Sequence, residues 1–368
     1  MTQREKEILE RIRKEPMISQ QALADELGIA RASVAVHITN LMKKGLIRGK
    51  GYVLAEPDQA VVIGGANLDI YGFPGGVLRP GVSNPGTVKT ACGGVARNVA
   101  ENLARLGQPV SLFTVVGNDE AGERIRESAS RVGIGMDSVG VSTRFPTSVY
   151  MAIQEQSGEM AWAVSQMDIM EELTAAYLRE RKPILDAART IVVDGNLSEA
   201  ALDYLLTHSG DVPVWYDPVS VEKAGRIGEH IGKLFAVKPN RVEAETLSGI
   251  PADSREGVLK NWRWFMDQGI QELWMSLGSE GLFFGTPESA LFARIDIEQI
   301  QNANGAGDAL LAGALHGFLE GLDAEERVAY ALAAAAVACT SDETIAPDFS
   351  GATVKQKMNE VTIYEKLS

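Results

Sequence analysis

Asn302-Ala303-Asn304-Gly305-Ala306-Gly307-Asp308 runs straight into an apolar stretch, 309–319, with the spacing of a helix. Two glycines around an alanine let backbone N–H groups converge without Cβ hindrance. They stand at a helix N-terminus, where the first amides lack internal partners and the dipole favours anions. Such a mouth suits a phosphoryl group in transfer. Asp308, on the first turn, can accept a proton from an attacking hydroxyl. The helix end favours its charged form, so the expectation is a weak base, which a loose phosphoryl-transfer transition state tolerates. Alone, the motif is weak evidence, because an aspartate capping a helix after a glycine turn is common.

Outward from this point, short apolar runs at 61–63, 110–116, 191–193, 214–216, 235–237 and 273–277 alternate with helical stretches such as 97–106 and 120–132. Continuous apolar runs suit strands buried on both faces of a parallel sheet, so the class is α/β. Ligands of such sheets sit at the carboxyl ends of the strands. Four further segments fall at such ends or at a helix start: Gly64-Gly65-Ala66-Asn67-Leu68-Asp69, Gly93-Gly94-Val95-Ala96-Arg97-Asn98, Asp217-Pro218-Val219-Ser220 and Lys238-Pro239-Asn240-Arg241-Val242-Glu243.

The chain has 368 residues, with 35 Lys/Arg against 49 Asp/Glu. Residues 1–56 hold ten basic and seven acidic residues, and the remainder 25 and 42, so a mildly basic head precedes a strongly acidic body. The longest run without a formal charge, 328–341, is too short and polar to span a bilayer, which excludes a membrane partner for that stretch. The charged start MTQREKEILERIRKE lacks the apolar core of a secretion signal, and a cytoplasmic location is expected. Two cysteines and four scattered histidines offer neither a disulfide framework nor a metal cluster.

In the head, Ile8, Leu9 and Ile12 mark a first helix closed by Pro16, and Ser19 caps a second that buries Leu23 and Leu27. Gly28 turns the chain into a third helix, about 30–44, with Val34, Ile38 and Leu41 inward. Its opposite stripe is Ser33, His37, Asn40 and Lys44. Residues 46–54 read as two short strands around Gly49-Lys50-Gly51. This order resembles a winged helix-turn-helix DNA-binding domain over residues 1–56. The resemblance implies that Ser33, His37 and Asn40 meet base edges in the major groove while Arg48 and Lys50 in the wing meet phosphates. A three-helix interaction module with a solvated stripe is the alternative.

Residues 59–368 resemble the ribokinase-like (PfkB) family of carbohydrate and nucleoside kinases, through the early Gly-Gly and the late Gly-Ala-Gly-Asp. Ser83-Asn84-Pro85-Gly86, the 93–98 segment, Thr147-Ser148, Asp217-Pro218-Val219-Ser220 and KPNRVEAETLSGI (238–250) are similar to its pseudouridine kinase branch. The fold so implied is a three-layer sandwich with a mostly parallel central sheet and a small β lid from segments 70–92 and 147–167. The activity implied is ATP-dependent phosphorylation of the 5′-hydroxyl of pseudouridine or a close nucleoside. Asp308 becomes the base, with the amides of Gly305, Ala306 and Gly307 as anion hole. Asn67, Asp69 and Asn98 would bind ribose hydroxyls, with Gly93 and Gly94 allowing close approach. Ser83, Asn84, Lys89 and Thr147 are candidate substrate contacts, although Ser-Asn-Pro-Gly also reads as ordinary turn chemistry. Asn240 and Glu243 would order Mg2+ and its waters, with Glu243 the metal residue. Ser276, Gly278, Ser279 and Gly281 would border the nucleotide phosphates. Family lids often pair between subunits, which implies a homodimer.

Many family members carry Asp-Thr-Thr where this chain has Asn302-Ala303-Asn304, so a monovalent-cation requirement stays open. Two other functions fit the same residues. One is a kinase of a free sugar or sugar phosphate. The other is a transcription regulator whose kinase-like body only senses a nucleoside or sugar.

Overall fold

The computed structural model describes residues 1–47, 59–155, 160–297 and 299–367. Three helices form the head: Gln3–Lys14, Gln20–Leu27 and Arg31–Lys43. Thr2 and Glu5 cap the first reciprocally, and the Ser19 hydroxyl accepts the Ala22 amide at 3.0 Å to cap the second. Ala30 leaves the third without a side-chain cap. Ile8, Ile12, Leu23, Val34, Ile38 and Leu41 close a separate small core. Ser33 is exposed and His37 and Asn40 are half-buried. Lys44 departs from the expected solvated stripe. Its ammonium reaches the buried Glu5 carboxylate at 2.7 Å, so it ties the first helix to the third. Arg48, Lys50 and the expected wing lie outside the described residues. At the end of the third helix, Gly45 turns with φ +70°, and a methyl there would come within 2.7 Å of Ile184 Cδ1. Leu46 packs against the core of the body.

Fifteen strands follow: β1 Ala60–Ile63, β2 Asn67–Pro74, β3 Gly86–Gly93, β4 Val110–Phe113, β5 Val115–Gly117, β6 Gly140–Ser142, β7 Ser148–Gln154, β8 Met160–Gln166, β9 Thr190–Asp194, β10 Val214–Asp217, β11 Ala236–Val237, β12 Glu272–Ser276, β13 Leu282–Gly285, β14 Ala290–Ile295 and β15 Val361–Leu367. Nine make one sheet in the order β15-β14-β13-β12-β11-β10-β9-β1-β4. From β4 to β12 all neighbours are parallel, and β12 to β15 run antiparallel. Alternate residues serve opposite faces. Val61, Ile63, Val193, Tyr216 and Met275 enter one core, and Val62, Val192, Trp215 and Trp274 enter the other. Burial on both sides is why these strands read as unbroken apolar runs, each large side chain contributing about 1.5–3 kcal/mol.

The run 110–116 is not one strand. At Thr114 the chain leaves the large sheet, the Gly140 amide takes the Thr114 carbonyl at 2.8 Å, and β5 pairs with β6 instead. A second sheet, β3-β2-β7-β8, forms the lid. Its β7 and β8 present Met151, Ile153, Trp162 and Val164 outward.

One buried ion pair joins the sheet to the helix Ala324–Cys339. Both Glu272 oxygens accept from Arg327 at 2.6 Å, and Trp274 Nε1 donates to Glu272 at 3.0 Å. The guanidinium lies 5.3–5.9 Å from the ring centres of Trp215, Trp274, Phe284 and Phe318. Truncating Arg327 to alanine strands a buried carboxylate and is expected to cost ~3–5 kcal/mol in urea unfolding. The double variant Glu272→Gln/Arg327→Met is expected to lose less than Arg327→Ala alone.

Candidate active site

Every segment singled out at a strand end meets at the carboxyl edge of the parallel strands. β1 delivers Gly64-Gly65, β9 Asp194, β10 Asp217, β11 Lys238 and β12 Ser276. The helix Ala306–Glu320 points its N-terminus at the same edge. Gly305 is obligatory there: its φ is +82°, and a Cβ would overlap the Thr344 carbonyl. Lys238 Nζ stands only 3.1 Å from where a Gly307 Cβ would be, so the mouth of this helix carries a cation as well as amides. One correction concerns the anion hole. The Ala306 N–H turns 3.3 Å to the Ala303 carbonyl, whereas Gly305 and Gly307 donate to no described residue.

Asp308 sits buried beside that mouth, its Oδ2 accepting from Asn98 Nδ2 at 2.8 Å. Burial, and then the Asp217 carboxylate, push its pKa up to about 7, and the donations of Asn98 and the charge of Lys238 only partly oppose them. The weak base expected from the helix dipole is therefore corrected, because desolvation outweighs the dipole. Asp217 pairs with Lys238 at 3.0 Å and accepts the Val219 amide at 2.8 Å. Val219 holds φ +68°, a strained setting for a β-branched residue. Burial alone would lower the Lys238 ammonium, but Asp217, Glu243 and Asp308 outweigh it and hold it above its ordinary value.

On the lid side, Asn67 donates to Asp69, and the Tyr71 hydroxyl donates to Asp69 Oδ2 at 3.2 Å. Burial lifts Asp69 to about 6. A Cβ on Gly93 would overlap the Asp69 carboxylate. One on Gly94 (φ +97°) would overlap the Gly65 carbonyl and come within 2.7 Å of Asn67 Oδ1. Glycine at both positions lets this turn pack against β2 and the turn after β1. Above lies a cleft of 1120 Å³, walled by the lid through Tyr71, Phe73, Lys89 and Tyr150, and across from them by Asn302 and Thr344.

Three expected contacts are redirected. Thr147 is buried, its hydroxyl donating to Asp119 at 2.6 Å and accepting the Gly117 amide at 2.8 Å, so it fixes a loop and has no hydroxyl to spare for a ligand. Asn84 bonds Arg79 and Val82 within its own turn, the turn-chemistry reading, and neither it nor the exposed Ser83 lines the cleft. Lys89 does line it, 3.1 Å from Asp342.

Asn240 and Glu243 form a reciprocal cap on the helix Arg241–Ser248. Glu243 Oε2 takes the Asn240 amide at 2.9 Å, leaving Oε1 free of hydrogen-bond donors among the described residues. Burial and then Asp217 push the Glu243 carboxyl up, the signature of a crowd of carboxylates short of cations. That donor set fits Mg2+ held largely through water, since among the described residues no three acidic, His or Cys side chains are placed to hold a metal ion directly. The Ser276 amide donates to the Pro239 carbonyl at 3.0 Å, which sets Ser276 beside Asn240, and the Gly278–Glu280 turn, with Ser279, and Gly281 follow it in the chain.

Asp194, Asp217 and Lys238 had no assigned role in the sequence. The signal available was position alone: each is charged and ends an apolar strand or follows it directly.

Residues 57–349 match the model of the pfkB family of carbohydrate kinases. The chain belongs to that family. It is accordingly a phosphotransferase acting on a hydroxyl. Residues 1–48 of this pfkB kinase match a winged helix-turn-helix DNA-binding model. It is 37% identical to a pseudouridine kinase of Escherichia coli (strain K12), over 82% of this chain and 96% of that one. It is 35% identical to the uncharacterized sugar kinase YeiI of the same organism, over 95% and 97%. A carbohydrate kinase from Agrobacterium tumefaciens superposes with a TM-score of 0.75 at 26% identity, covering 84% of this chain and all of that one. Ribokinase of Arabidopsis thaliana with ribose and ATP superposes with a TM-score of 0.71 at 20% identity, covering 82% and 99%, a likeness of fold. No helix of the described residues is long and apolar enough to cross a membrane.

The Asp308 charge is unfavourable to the apo fold. Its folded pKa of about 7 exceeds the ordinary aspartate value of 3.8, so the native state binds more protons and stability falls as pH rises between these values. Asp308→Asn is expected to raise the apo melting temperature more at pH 8 than at pH 5, by about 2–4 °C per kcal/mol of charge burial relieved. A calorimetric pH series checks this.

Proposed function

We propose that the chain transfers the γ-phosphoryl group of ATP to the 5′-hydroxyl of pseudouridine or a close nucleoside. One observation carries the reading: a carboxylate with a pKa of about 7 stands at a helix mouth whose Gly305 and Gly307 amides have no acceptor among the described residues. Asp308 takes the hydroxyl proton as the oxygen bonds to the γ-phosphorus and the bond to ADP breaks, giving nucleoside 5′-phosphate, ADP and a proton. The free amides and Lys238 meet the charge on the equatorial oxygens. Asn98 holds Asp308 in place, and Asn67 and Asp69 orient the ribose hydroxyls. Mg2+, carried by Asn240 and Glu243 through water, supplies charge neutralisation on the phosphates. The lid excludes water, which limits ATP hydrolysis. A nucleobase gains support from Tyr71, Phe73 and Tyr150, aromatic faces in a cleft with room beyond a ribose.

A second reading, a kinase of a free sugar, is favoured by one finding: the YeiI match spans head and body alike. With ATP and Mg2+, pseudouridine is expected to turn over faster than uridine, ribose or fructose, and a faster sugar moves the assignment. With the preferred acceptor, kcat/KM is expected to fall tenfold per pH unit below about 7, since only ionised Asp308 accepts a proton. Asp308→Asn is expected to lower kcat about 10²–10⁴-fold while nucleoside still binds.

The head, with Ser33, His37 and Asn40 toward base edges, is proposed to dock on DNA. A second copy of the chain is proposed to cover the outer lid face, where Val88 on β3 and Met151, Ile153, Trp162 and Val164 on β7 and β8 lie exposed. A two-fold pair would present two heads to a two-fold site. Trp162→Glu is expected to shift the mass in light scattering from dimer to monomer, and an unchanged mass refutes this face.

A further inference from the structure

A buried carboxylate at the same strand edge takes no part in the chemistry above. Asp194, at the end of β9, is fully enclosed. Its Oδ2 accepts the Gly65 amide at 2.8 Å and the Ala96 amide at 3.3 Å, and its Oδ1 accepts the Asn196 amide at 2.9 Å. Gly65 belongs to the turn after β1, and Ala96 to the first turn of the helix Val95–Arg105, so one side chain bridges the two glycine-rich segments. The Gly65 carbonyl completes the clamp by accepting the Arg97 amide at 3.3 Å. One residue further along that helix, Asn98 reaches Asp308 at 2.8 Å.

We propose that Asp194 is a positioning residue that locks the two glycine turns of the substrate site together and, through Asn98, sets where Asp308 stands. The inference rests on the kinase reading above and names the residue that assembles its acceptor half. The geometry admits no other side chain of similar kind. A Cβ on Gly64 (φ +151°) would overlap the Asp194 carboxylate, so the carboxylate already fills the space a longer glutamate would need. Asparagine keeps one acceptor but turns N–H groups toward backbone donors that now face oxygen. Burial raises the Asp194 carboxyl, and the Gly65 and Asn196 amides, with the helix N-terminus at Ala96, work against that to favour the anion.

Asp194 also acts through space. The groups facing Asp308 are Asp217 from β10, Lys238 after β11, Asn98 from its helix and Asp194 from β9, and the Asp194 charge raises Asp308. Asp194 itself faces Lys223, which bonds Asn196 Oδ1 at 2.7 Å, and Tyr216. Removing its charge therefore moves the base in a known direction, toward lower pH.

The test uses the full chain with Asp194→Asn and, pressing on the same carboxylate from the other side, Gly64→Ala. For both, the nucleoside KM is expected to rise at least tenfold with the ATP KM within twofold. For Asp194→Asn, the acidic limb of kcat/KM is expected to move to lower pH. Hydrogen exchange is expected to quicken in peptides covering 64–67 and 94–98 but not across Ala306–Glu320. A folded Asp194→Asn protein with nucleoside KM and pH profile unchanged overturns the proposal. So does a joint rise of both KM values with protection lost throughout, which marks a merely structural role. If the wild type phosphorylates no nucleoside or sugar, the kinase reading falls separately. Exchange at 64–67 and 94–98 then decides for Asp194, and unchanged rates overturn it.

Discussion

Anions outnumber cations in a place where water is scarce. Asp194, Asp217, Glu243 and Asp308 gather where parallel strands stop, and Lys238 is the ammonium buried among Asp217, Glu243 and Asp308. Neither full ionisation nor full protonation satisfies such a cluster. It settles by lifting Asp308 and Glu243 and by holding Lys238 charged. The same deficit of positive charge makes the edge receptive to a hydrated divalent ion, and it gives an ordinary carboxyl the proton affinity a base needs near neutrality.

The fold brings this about through backbone proximity as much as through side chains. Gly64, Gly93, Gly94 and Gly305 each stand where a methyl would strike a carboxylate or a carbonyl. Glycine at these points lets strand ends, turns and helix mouths approach within hydrogen-bond reach. Val219, held at φ +68° beside Asp217, shows the other side of the same compression: the turn keeps a strained residue so that the carboxylate keeps its place.

Much of this could be read in the residues beforehand. Strand runs such as 191–193 and 214–216 stood out because burial on two faces removes every polar position from them. The glycine pairs and Asp308 stood out because close approach and a helix start each have a distinct composition. What escaped depends on distance between segments far apart in the chain. Asp194 looks like any aspartate after a strand until Gly65 and Ala96 are seen donating to it. Thr147 looked available until Asp119 and Gly117 were seen to consume its hydroxyl. The proton affinity of Asp308 was misjudged because the helix dipole is local and legible, whereas desolvation and the Asp217 charge come from the assembled sheet.

The head is not a bead on a free tether. Gly45 closes against Ile184 and Leu46 is packed into the main core, so the exit of the third helix is seated on the catalytic body. A rigid seat of this kind turns orientation into information. A ligand gripped by the outward stripe of that helix would inherit the heading of the much larger unit behind it, and in the proposed pair the angle between two such grips would be dictated by how two bodies meet.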